Sequence, residues 1–172
     1  MKNKHLIFAA VLLVFAACNE PKKENKEVVS DTAKTNEVHM ENGAKIFARM
    51  QADKVIKGTD SVMLTFSVYN PADSVQEFCK WHTPFEPLMS KYLDVKNEKG
   101  EEAAYKGAMA KRMMPPPADS YIKVNPKETL STKVDLLLGY DLKTGNKYTV
   151  TYAGENMSGL LVRDTVSFVY EK

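Results

Sequence analysis

The sequence predicts an all-β domain, an antiparallel β-sandwich of about 7–9 strands. Three observations predict it. Apolar and polar residues alternate from residue 44 onward, turn residues recur at intervals of about ten, and nothing beyond the leader has helical periodicity. The folded domain is expected over residues 44–172.

The strands are read in chain order. Ile46, Ala48 and Met50 alternate with Phe47, Arg49 and Gln51. After a turn at Lys57-Gly58-Thr59-Asp60, Val62, Leu64, Phe66 and Val68 alternate with Met63, Thr65, Ser67 and Tyr69, the cleanest strand in the chain. Asn70-Pro71-Ala72-Asp73-Ser74 has turn chemistry. The next strand is expected over Val75 to Trp81, ending at the Thr83-Pro84 break. Lys91 to Asn97 and Glu101 to Tyr105 are expected to pair through the loop Glu98-Lys99-Gly100. Pro115-Pro116-Pro117 is extended backbone, followed by a short strand over Tyr121 to Val124. Leu130, Thr132, Val134, Leu136 and Leu138 predict a long alternating strand. Lys147 to Tyr152 and Asp164 to Tyr170 complete the set. Tyr148 lies three residues past Gly145 at the start of a late strand. That placement resembles the tyrosine corner of immunoglobulin-like domains, in which the hydroxyl bonds back to nearby backbone. The sandwich is therefore expected to be immunoglobulin-like, with Tyr148 structural.

Residues 1–17 stand apart. Lys2 and Lys4 precede the apolar run Leu6 to Phe15, which is too short to span a bilayer as a helix, and Ala16-Ala17 precede Cys18. This is the pattern of a secretory signal. Cys18 at the cleavage point resembles the lipobox of bacterial lipoproteins, which implies acylation of Cys18 and anchorage to a lipid membrane. Asn19, rather than Asp, after the cysteine favours the outer membrane. Residues 18–43 are polar, charged and free of aromatic residues, and are expected to be a flexible tether. A coil of that length spans roughly 25–30 Å root-mean-square.

Charge excludes one class of partner. The chain has 24 Lys and Arg against 22 Asp and Glu, and losing Lys2 and Lys4 with the leader leaves 22 of each. Nothing electrostatic favours nucleic acid. With Cys18 lipidated, Cys79 has no partner for a disulfide, so no disulfide framework is expected, and Cys79 is read as a buried, apolar residue.

The chemistry-bearing residues cluster around Phe78-Cys79-Lys80-Trp81-His82-Thr83-Pro84-Phe85-Glu86, which holds the single tryptophan. Trp81 is expected to anchor the core. His82 lacks companions for a metal site: the other histidines, His5 and His39, fall in the leader and the tether, and no HExxH occurs. Catalysis by Ser, His and Asp lacks both the histidines and a nucleophile elbow, so no enzyme and no cofactor are expected. Lys111, Arg112, Met113 and Met114, ahead of three prolines, offer two cations and two flexible apolar side chains on a stiff segment. His82, Thr83, Pro84, Lys111, Arg112, Met113 and Met114 are the expected partner-binding residues. The alternatives are a Cu(I) carrier using the Met109, Met113 and Met114 thioethers, and an enzyme with an unrecognised site.

Lys80-Trp81-His82-Thr83-Pro84-Phe85-Glu86, Asp94-Val95, Gly100, Tyr105-Lys106-Gly107, Lys111-Arg112, Val134-Asp135-Leu136, Tyr140-Asp141-Leu142, Gly145 and Tyr148-Thr149-Val150-Thr151-Tyr152 follow one another in a recognisable order. From about residue 62 to residue 154, this series resembles the N-terminal, β-rich, non-catalytic region of deuterolysin-like, peptidyl-Lys metalloendopeptidases. That family's zinc signature has no counterpart here. The resemblance implies a stand-alone, pro-region-like module that binds, chaperones or inhibits a secreted peptidase. The expected function is thus that of a non-catalytic, membrane-anchored envelope lipoprotein with a protein or peptide partner.

Overall fold

A computed structural model describes residues 45–172. The leader, Cys18 and the tether lie outside the described residues. Among the described residues nine strands form: β1 Phe47–Gln51, β2 Val55–Ile56, β3 Met63–Tyr69, β4 Gln76–Cys79, β5 Leu93–Asn97, β6 Tyr121–Val124, β7 Thr129–Asp135, β8 Asn146–Tyr152 and β9 Val166–Tyr170. One sheet has the order β1-β3-β7, a second has β2-β9-β8-β5, and β4 pairs with β6. All pairings between these strands are antiparallel except the short contact of β2 with β9. The all-β, antiparallel, sandwich-like expectation holds. Among the described residues, no helix is long and apolar enough to cross a membrane.

The period-two pattern dictates this arrangement. Leu64, Phe66 and Val68 point to one face of β3 and are fully buried, as is Val62 just before it. Burying each such side chain stabilises the fold by about 1.5–3 kcal/mol. They join Ala48 and Met50 of β1, Leu93 and Val95 of β5, Val150 of β8 and Phe168 of β9 in a single hydrophobic cluster. Phe66 and Tyr152 pack across the two sheets with ring centroids 5.5 Å apart.

β3 and β4 are two halves of one bent ribbon, and β6 and β7 form its other side. Tyr69 pairs with Thr129 below the bend and Gln76 with Val124 above it. Residues 70–75 therefore face the shorter run 125–128. Asn70, fully buried, holds the corner. Its amide nitrogen lies 2.8 Å from Ser74 O, 3.0 Å from Val124 O and 3.1 Å from Asn125 O, and its Oδ1 accepts from Ala72 N–H.

The Tyr148 hydroxyl accepts from Lys143 N–H at 2.7 Å and lies 3.3 Å from Lys143 O. This is the backward bond to nearby backbone expected of that residue. Gly145 takes φ +84° in the same turn.

Several local expectations are corrected. The long strand through Leu138 stops at Asp135, whose carboxylate accepts from Leu137 N–H and turns Leu136–Leu138 into a 3-10 turn. Leu138 consequently faces solvent. Glu101 to Tyr105 forms only isolated bridges, Lys96 to Glu102 and Tyr105 to Tyr140, because residues 101–105 leave β5 to meet the turn at Gly139 and Tyr140. A single helical turn, α1 Glu155–Ser158, and the short β2 carry no periodic signal and were not foreseen.

Candidate functional site

The site is built where β4 runs out. Trp81 is not in a strand: β4 ends at Cys79 and residues 81–90 form consecutive turns. Thr83 makes the first of them. Its hydroxyl donates to Lys80 O at 2.7 Å and accepts from Phe85 N–H at 3.1 Å, and Glu86 N–H donates to Thr83 O. His82 adopts φ +59°, a left-handed conformation tolerated where side chain and backbone are held from outside. Here the Tyr152 hydroxyl donates to His82 O at 2.9 Å and lies 2.7 Å from Ser158 Oγ. Gly154 leaves room for that contact, since a Cβ there would collide with His82 O. Burial pushes the Tyr152 phenol well above its usual range.

A second segment is laced to these turns. Ala108 N–H donates to Leu88 O, Ala110 N–H donates to Met89 O, and the Tyr105 hydroxyl donates to Leu88 O at 2.8 Å. Leu88 N–H in turn donates to the Tyr92 hydroxyl, and burial pushes that phenol up to about 12. The segment ends in the fastening that defines the site. The Arg112 guanidinium pairs with Glu86 and lies 4.7 Å above the Trp81 ring. Both partners of the ion pair are largely buried, at 17 % and 19 % side-chain exposure. A flat, weakly hydrated guanidinium suits this double contact; an ammonium does not.

His82 and Cys79 feel the same pair. Burial, then the Arg112 charge, lower the His82 imidazole below its ordinary range against an opposing pull from Glu86. Burial chiefly raises the Cys79 thiol, a free and buried cysteine. Among the described residues, no group of three or more His, Cys, Asp or Glu is arranged to hold a metal ion.

The expected binding residues divide into two sets. Thr83 and Pro84 are buried and Arg112 is turned inward, so none of the three offers a free contact surface. Thr83 is consumed by its turn, and Arg112 by Glu86 and Trp81. His82 is half-buried, whereas Lys111 is exposed. Met109, Met113 and Met114 stand 72 %, 86 % and 66 % exposed on the fastened segment, with Met89 and Leu138 also exposed. Trp81 is buried as expected, although it lies outside the main hydrophobic cluster. Glu86 was not foreseen as a site residue. The only signal for it was its place in the Trp81 stretch, since the pairing with Arg112 spans 26 residues. No protein-family model matches the chain, and no curated protein matches it.

Proposed function

We propose that the chain is a non-catalytic, immunoglobulin-like envelope lipoprotein. In this reading it is anchored in the outer membrane through acylated Cys18 and binds a secreted peptidase as a pro-region-like module. The observation that carries the reading is the display of Met109, Met113 and Met114 in solvent on a segment fastened at Arg112. Methionines in that setting contribute little to folding. Flexible, polarisable thioethers on a tethered segment adapt to an apolar partner surface. The backward bond of Tyr148 supports the immunoglobulin-like assignment, and the ordered series from Trp81 to Tyr152 supports the peptidase partner.

The test is a capture from envelope extract with the full chain and with a Met113→Asp/Met114→Asp variant. The expected result is recovery of a metallopeptidase by the unaltered chain, a change in that peptidase's activity on binding, and loss of both in the variant. The variant's stability should stay within about 0.5 kcal/mol of the parent, because both side chains are exposed. Recovery of no peptidase, together with unaltered zinc-protease activity, overturns the reading. The anchor has its own test: Cys18→Ser should move the protein from the membrane fraction to the soluble envelope fraction. Retention with the membranes would refute acylation at Cys18.

A further inference from the structure

Among the described residues, the side chains most prone to oxidation fall into two groups. Cys79, Trp81 and Met50 are buried, whereas Met109, Met113 and Met114 are the most exposed methionines. The fastening of their segment produces this separation. Over residues 109–113 burial alternates: Met109, Lys111 and Met113 are exposed, and Ala110 and Arg112 are not. Ala110 N–H donates to Met89 O, and Arg112 pairs with Glu86, so the inward side of the segment is tied to the turns. In extended backbone, alternate side chains point to opposite sides. The ties at Ala110 and Arg112 therefore hold Met109 and Met113 outward.

A row of leucines would expose similar apolar area. A thioether differs in that it accepts an oxygen atom, becomes a polar sulfoxide and is restored by reductases. The step needs a two-electron, oxygen-donating oxidant such as hydrogen peroxide. A sulfur lone pair attacks one peroxide oxygen, and the O–O bond breaks as the S–O bond forms. The other oxygen leaves with both hydrogens as water, so sulfur loses the two electrons that the peroxide gains. The bonds that fasten the segment come from its backbone, from Tyr105 and from Arg112, and the added oxygens break none of them.

We infer that Met109, Met113 and Met114 form a reversible oxidation site, at which sulfoxidation turns the docking row from apolar to polar and releases the partner. The release rests on the docking reading above; the oxidation does not.

The test treats the full chain, carrying Cys18→Ser, with hydrogen peroxide and maps oxygen uptake peptide by peptide by mass spectrometry. Met109, Met113 and Met114 should each gain one oxygen before Met63 and Met89, which are 39 % and 40 % exposed, and well before buried Met50. Met40, outside the described residues, is read on its own peptide. The urea midpoint should not move. Methionine sulfoxide reductases of both stereospecificities, with a dithiol as electron donor, should restore the thioethers. After the peroxide is removed, capture of a peptidase from envelope extract should be lost by the oxidised chain and regained on reduction. A Met109→Leu/Met113→Leu/Met114→Leu variant keeps an apolar row and should capture equally with or without prior peroxide. Uptake at Met50 or Met63 ahead of the three overturns the inference, as does a urea midpoint that falls as they are oxidised. Sulfoxides that the reductases leave in place, or undiminished capture by the oxidised chain, also overturn it. If the unoxidised chain captures no peptidase, the docking reading falls, and the oxygen map, the urea midpoint and the reductases still decide the oxidation site.

Discussion

Trp81→Ala is expected to lower the free energy of unfolding by about 3 kcal/mol, near the lower end of the range for truncating a buried tryptophan. The indole is 6 % exposed, so nearly all of its apolar area is lost from the interior. The lower end applies because Trp81 packs beside the main cluster rather than within it, with the Arg112 guanidinium over its ring. Solvent reaches that flank more readily than the space between the sheets, so the vacated volume can partly refill. Urea unfolding followed by far-ultraviolet circular dichroism measures the change. A loss well under 1 kcal/mol would place the indole at the surface. Trp81→Phe should recover part of the loss, since it keeps an aromatic face for Arg112.

Arg112→Ala is expected to destabilise by about 2 kcal/mol and to release the Met113 and Met114 end of the segment, while Ala108 and Ala110 keep their bonds to Leu88 and Met89. Breaking a fully buried ion pair by removing one member costs about 3–5 kcal/mol, because the other charge is stranded. Glu86 retains 19 % exposure, and water screens part of that penalty. Arg112→Lys should restore little, since an ammonium cannot lie flat on Trp81 while meeting Glu86. A second readout separates local from global effects. Arg112 is one of the influences holding the His82 imidazole low, and Glu86 pulls the other way. Without Arg112, His82 should titrate at higher pH, a shift visible in its ring resonances by NMR. An unchanged His82 titration in a folded Arg112→Ala variant would show that the two groups do not sense each other.

The elements that could be read from sequence are those whose own residues carry the signal. β3 and β8 alternate cleanly because each has one face on the core and one on solvent, and local pattern is then sufficient. The turn at Gly145 and the role of Tyr148 are legible for a similar reason, since their bonds close over five residues. The 3-10 turn at Leu136–Leu138 was hidden because three leucines continue a strand pattern while the Asp135 carboxylate caps a turn. The site was legible in composition but not in wiring. Trp81, Arg112 and the methionines were each identifiable as unusual. That Arg112 folds inward onto Glu86, leaving the methionines as the exposed group, depends on long-range closure that periodicity does not encode.

The placement of the single indole gives the molecule an optical property of its own. Trp81 lies where the Lys111–Met114 segment meets the body of the sandwich, under the Arg112 guanidinium. Its emission therefore reports on a junction rather than on the bulk of the fold. Any ligand that lifts Arg112 from the ring alters the polarity and the charge beside the fluorophore, so occupancy of this face is readable as a change in colour and intensity without an added label.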